Sequence, residues 1–126
     1  MTLREFALWI QEPAALPLLP ISATPRLYVQ GGFDRRTEFI EALRAELRAV
    51  GITAEIVQRS EDYDYTILFV QEESAAAAVV LDRHGVLIAS AVTAAFRVKG
   101  ATAGVARKLA RQMVPVPRMP RGDKAA

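Results

Sequence analysis

The chain has no cysteine and only one histidine among its 126 residues. Without cysteine these residues form no disulfide, thiolate metal site, cysteine nucleophile or lipid-modified cysteine. Because His84 stands alone, we expect no metal site and no cofactor that depends on one. No apolar run approaches the ~20 residues that a membrane-spanning helix needs. These absences exclude several classes of function before any motif is considered.

The composition is that of a single folded domain. The chain is 52% hydrophobic and 24% charged, which is too apolar for a disordered protein. A chain of this length usually builds one core. We therefore predict an N-terminal helical arm with a proline-rich connector (1–25), one α/β domain (26–114) and a flexible basic tail (115–126).

Charge is distributed unevenly along the chain. Residues 1–96 carry 8 basic and 13 acidic groups, a net charge of −5, whereas residues 97–126 carry 8 basic groups and one acidic group, a net charge of +7. A basic end attracts nucleic acid, anionic lipid or an acidic protein surface. It is equally typical of a solvated helix face followed by a loose end, so both interpretations stay open.

The first residues predict an amphipathic helix. Thr2 and Glu5 form a capping-box pattern, and the apolar residues that follow have helical spacing. The apolar positions are Leu3, Phe6, Ala7 and Ile10. We expect this arm to pack on its own domain or on a partner subunit, with Phe6, Trp9 and Ile10 at the interface.

Hydrophobic periodicity predicts five strands and two helices after residue 25. The strands are expected at 26–30, 52–58, 63–71, 75–81 and 86–93, and the helices at 34–50 and 101–114. In residues 75–81 the alanines favour a helix, whereas the larger apolar residues at the end of this segment favour a strand. The hairpin-like turn at 82–85 then favours strand. The order β-α-β-β-β-β-α indicates an α/β (α+β) fold, with two helices on one face of a mixed four- or five-stranded sheet.

Two helix starts are candidate anion sites. Gly31 and Gly32 lie between a strand and a helix, and Lys99 and Gly100 open the second helix. Free N–H groups at a helix start favour phosphate. Neither a G-x-G-x-x-G nor a P-loop pattern is present, and glycines also occur where a chain simply turns. The two starts would form one pocket if they converged.

The second helix carries a basic face. Arg107, Lys108 and Arg111 share this face and can contact phosphates. No aromatic residue follows Phe96 to stack on bases. Nucleic-acid binding is therefore expected to be weak and non-specific.

No arrangement of residues predicts catalysis. Glu61, Asp62 and Asp64 lack the spacing of a calcium-binding loop and are interpreted as solvated strand ends. His84 follows Asp82 in a turn, and no G-x-S-x-G motif supplies a nucleophile. We predict no catalytic residues and no enzyme activity.

Residues 26–113 resemble a known group of small domains. A strand with its glycine turn at 27–33 is followed by a helix that ends at residues 49–52 in a glycine and a hydrophobic residue. An acidic Asp-Tyr segment at 62–65 then starts the central strand, and a turn at 82–85 precedes the last strand. This pattern is similar to the small α/β domain at the N-terminus of TolB, also found in envelope lipoproteins related to the curli-secretion channel and to penicillin-binding-protein activators. The resemblance implies a non-enzymatic domain that binds other proteins in a bacterial envelope.

Three functions follow in order of preference. The first is a non-catalytic protein-interaction domain, with a protein partner or a second copy of the chain. The second is a weak anion- or nucleic-acid-binding module that uses the basic helix. The third is an enzyme that holds a phosphorylated small molecule at Gly31 and Gly32. Because no signal-peptide pattern is present, the expected location is cytoplasmic by default, or periplasmic if a leader precedes the chain.

Overall fold

The computed structural model describes residues 18–59, 61–72, 75–94 and 98–116, with the backbone alone at 98 and 99. The predicted helix at 2–11, with its candidate interface residues Phe6, Trp9 and Ile10, lies outside the described residues. So does the tail from residue 117 onward.

The described residues form seven strands and two α-helices. The strands are β1 (Leu19–Ile21), β2 (Arg26–Gly31), β3 (Glu55–Ile56), β4 (Tyr65–Glu72), β5 (Ala75–Asp82), β6 (Leu87–Ala94) and β7 (Met113–Pro115). The helices are α1 (Arg36–Ala49), which follows a 3₁₀ turn at Phe33–Arg35, and α2 (Val98–Arg111). This order confirms the predicted α/β class and the β-α-β-β-β-β-α succession.

Five of the strands form a mixed sheet in the order β3-β2-β4-β5-β6. Strand β2 is parallel to β3 and β4, while β4, β5 and β6 are antiparallel neighbours. The ambiguous alanine segment is therefore a strand, as the hairpin turn indicated. Pairing on both sides outweighs the helix preference of alanine, and the small side chains of Ala76 and Ala78 let α2 pack closely on this strand.

Both helices pack on the same face of this sheet, as predicted. The apolar residues Phe39, Leu43 and Leu47 recur every four positions, so they share the buried side of α1. Phe39 stacks on Phe69 of β4 with ring centroids 4.1 Å apart and planes 4° from parallel. Each such fully buried side chain contributes about 1.5–3 kcal/mol to folding. This layer is the main core of the domain.

A second, two-stranded sheet was not expected from the sequence. Strand β1 pairs in parallel with β7, and the predicted helix at 101–114 runs instead from residue 98 to residue 111. Leu19 N–H donates to the Gln112 carbonyl at 2.6 Å, and Val116 N–H donates to the Ile21 carbonyl at 2.7 Å. Ile21 and Met113 also belong to the core. The part of the predicted connector that forms β1 therefore packs with the C-terminal end of the α/β domain.

Close packing of α2 on β6 depends on a glycine. A Cβ added at Gly104 would lie 2.6 Å from the Thr93 Cγ2 atom, which is too short for two carbon atoms. The absence of a side chain at Gly104 therefore lets the helix backbone approach the edge strand of the sheet.

We predict that Gly104→Ala lowers the free energy of unfolding, since overpacking costs about 1–3 kcal/mol and outweighs the roughly 1 kcal/mol by which alanine favours a helix. In a Thr93→Ala background the clashing methyl is gone, so the loss should be smaller by at least about 1 kcal/mol. Urea unfolding of the four proteins measures this coupling. Equal losses in both backgrounds would contradict the packing argument.

Candidate functional site: the turn between β2 and α1

The turn between β2 and α1 has an unusual backbone. Gly31, Gly32 and Phe33 have φ values of 86°, 79° and 43°. An added Cβ at Gly31 would collide with the Phe69 carbonyl oxygen, and one at Gly32 would collide with the Phe69 ring. Both positions therefore require glycine, for backbone conformation and for space.

Phe33 is the exceptional residue of this turn. It is 95% exposed, and a bulky residue at positive φ is rare and costs about 1–3 kcal/mol. Folding of the domain gains little from a strained, solvated ring. Strained, exposed residues are typical of functional sites, so we expect Phe33 to contact another molecule.

An apolar recess lies beside Phe33. Its volume is about 360 Å³, and residues 30–33 and 68–72 line it. Leu68, Phe69 and Val70 are among its apolar lining residues, Gln30, Gln71 and Glu72 are its polar ones, and no described lysine or arginine lines it. The recess therefore offers mainly apolar surface and no described cation.

The start of α2 contacts strand β4, which borders this turn. The Thr102 hydroxyl in the first turns of α2 donates to Gln71 Oε1, and Gln71 borders the same recess as Gly31 and Gly32. Gly100 is exposed at the start of α2, and the Lys99 side chain lies outside the described part of the chain. Anion binding by these four residues stays a prediction.

Two of the three predicted phosphate contacts on the basic face are already engaged. Arg107 lies 3.6 Å from the carboxylate of Glu46 on α1, and the Lys108 ammonium donates to the Val92 carbonyl at 2.8 Å. Arg111 is exposed. The structure therefore places these cations on different neighbours, and their role in binding phosphate also stays a prediction.

A polar recess that the sequence did not indicate lies on the other side of Gly31. Its volume is about 530 Å³, and residues 28–31, Arg36, Gln58 and Arg59 line it. The Arg36 Nε atom donates to the Val29 carbonyl at 3.1 Å, which holds that side chain against β2. Arg36 and Arg59 come from segments far apart in sequence, so no local motif could have paired them.

The acidic residues before β4 have structural partners. Asp64 accepts the backbone N–H of Arg26 at 2.8 Å, and its other oxygen lies 3.0 Å from the Arg83 guanidinium. Among the described residues no group of three or more acidic or histidine side chains could hold a metal ion. These contacts support the interpretation of this segment as a strand end.

His84 belongs to the tight turn between β5 and β6. The Asp82 carboxylate accepts backbone N–H groups from His84 at 2.8 Å and from Val86 at 3.0 Å. The hydrogen bond from Val86, followed by that from His84, lowers the pKa of Asp82 because both stabilise the charged form. Asp82 thus organises the turn.

The helices of the described residues are too short or too polar to cross a membrane. Each α-helix has 14 residues.

Comparison with known proteins gives a fold and no sequence family. No family model and no curated protein matches the chain. A solved PelC dodecamer from Paraburkholderia phytofirmans is similar with a TM-score of 0.55 and 16% identity, over 76% of this chain and 92% of that chain. A dodecamer of a PelC variant from the same organism gives 0.53 and 15%, over 80% and 94%. This likeness confirms the small α/β architecture, whereas the narrower TolB-like relationship stays a prediction.

We predict a stabilising role for Asp82 that depends on pH. Because the folded state lowers the pKa of Asp82, its contribution to the free energy of unfolding is fully present above the ordinary carboxyl pKa of about 3.9. It is lost as the pH falls through the lowered value. Asp82→Asn should therefore unfold more easily than the wild type at pH 7, and the difference should shrink below about pH 3.9. The exposed Asp62→Asn variant is the control, and thermal unfolding across pH is the measurement. An identical pH profile for both variants would exclude this role.

Proposed function

We propose that this chain is a non-catalytic assembly domain that associates with further copies of itself through Phe33 and the apolar recess beside it. The observation that carries the proposal is the Phe33 ring, which is 95% exposed on a backbone at φ 43°.

The energetics of Phe33 favour a contact with another molecule. Burying an exposed phenyl ring gains about 1.5–3 kcal/mol. Aromatic side chains near the centre of an interface often supply much of its binding energy. The packing of Gly31 and Gly32 against Phe69 holds the turn in place. The ring is therefore presented before a partner arrives, so less conformational entropy is lost on binding.

A second copy of the chain is the partner that fits best. Phe33 borders a recess that Leu68 and Val70 also line, so one molecule carries both the exposed ring and a cavity that can receive a ring. Reciprocal insertion gives a closed pair, and head-to-tail insertion gives a larger assembly. Two solved neighbours of this fold are dodecamers, which supports self-association.

The proposal includes no catalytic step and no cofactor. The proposed role agrees with the family resemblance, because the small domains of TolB and of the lipoproteins related to the curli-secretion channel bind other proteins. A bacterial envelope location fits that resemblance. The alternative is a cytoplasmic location, and the choice between the two stays a prediction.

We predict that Phe33→Asn shifts the protein from its assembled form toward single copies. Asparagine removes the ring and tolerates positive φ better than phenylalanine does, so the fold is kept and the free energy of unfolding should not fall. Multi-angle light scattering over a range of concentrations measures the assembly.

The matched control is Val86→Asn, which removes another exposed apolar side chain (55% exposed) from the turn between β5 and β6. This variant should assemble as the wild type does. The proposal is wrong if the wild type is a single copy at high concentration, or if both variants change the assembly equally.

A further inference from the structure

Strand β6 forms one edge of the five-stranded sheet. It has eight residues and no charged side chain, whereas the opposite edge, β3, has only two residues. A long, uncharged edge strand offers unpaired backbone groups to any extended segment. Such an edge normally needs a device that blocks it.

Two side chains bind the outer side of β6, one from the last turn of α2 and one from the residue that follows this helix. The Lys108 Nζ atom donates to the Val92 carbonyl at 2.8 Å, and the Gln112 Nε2 atom donates to the Ser90 carbonyl at 2.6 Å. Ser90 and Val92 are two residues apart, so their carbonyl groups point to the same side of the strand. Because both carbonyl groups accept hydrogen bonds from side chains outside the sheet, they point away from β5.

The position of these two side chains is itself fixed. Gln112 Nε2 also donates to the Lys108 carbonyl at 3.2 Å, and the Gln112 backbone carbonyl accepts the N–H of Leu19 in β1. The close approach at Gly104 brings α2 against β6. The contacts with the edge are therefore part of a packed arrangement.

We propose that Lys108 and Gln112 close the β6 edge against strand addition by a second copy of this chain. With these side chains removed, β6 pairs in antiparallel fashion with β6 of another copy across a twofold axis. In this proposal the Lys108 ammonium binds a backbone carbonyl of its own chain. This surface is separate from the Phe33 turn, so the inference goes beyond the proposed function.

The test compares Lys108→Met/Gln112→Ala with its parent, both in a Phe33→Asn background that lacks the other proposed contact. Light scattering should show a concentration-dependent dimer of the double variant only. The amide N–H groups of Ser90 and Val92, which point to the same side as their carbonyls, should exchange roughly tenfold more slowly at high concentration by NMR.

The control Arg44→Met removes the same charge from an exposed position of α1 and should leave exchange and mass unchanged. Lys108→Arg keeps a cationic donor and should keep the edge closed. Lys108→Met alone changes an exposed side chain, so it gives a folded variant if the double variant unfolds. Unchanged exchange at Ser90 and Val92 in both Lys108→Met/Gln112→Ala and Lys108→Met, or an equal effect of Arg44→Met, would overturn the proposal.

Discussion

The stacking of Phe39 on Phe69 is the contact on which the rest of the domain depends. It joins α1 to the central strand β4, with ring centroids 4.1 Å apart. The same Phe69 leaves no room for a side chain at Gly31 or Gly32, and both glycines adopt positive φ angles as the chain leaves β2. One buried residue therefore belongs to the core and also packs against the turn that carries Phe33.

The sequence predicts the parts of the fold that have a local signal. The four-residue spacing of Phe39, Leu43 and Leu47 identifies α1, and the continuous apolar run identifies β4 as a central strand. The β1–β7 pair carries no such signal, since its residues are remote in sequence and include prolines. The glycines at 31 and 32 predicted a turn, but the exposure of Phe33 follows from tertiary packing.

The basic face shows what a charge count leaves open. The excess of positive charge after residue 96 is consistent with nucleic acid, lipid or a solvated helix. In the fold, Arg107 lies near Glu46 and Lys108 binds the carbonyl of Val92. An exposed ion pair contributes at most about 1 kcal/mol, whereas a side chain bound to an edge strand also determines which backbone groups stay available.

The short β1–β7 pair gives the domain a mechanical property. The two strands are parallel, so the chain enters β1 at one end of the pair and leaves β7 at the other. A pulling force applied to the residues before Leu19 and after Pro115 therefore acts along the strands and loads all their hydrogen bonds together. Tension between the flanking segments would have to break the β1–β7 pair in shear before it unfolded the core.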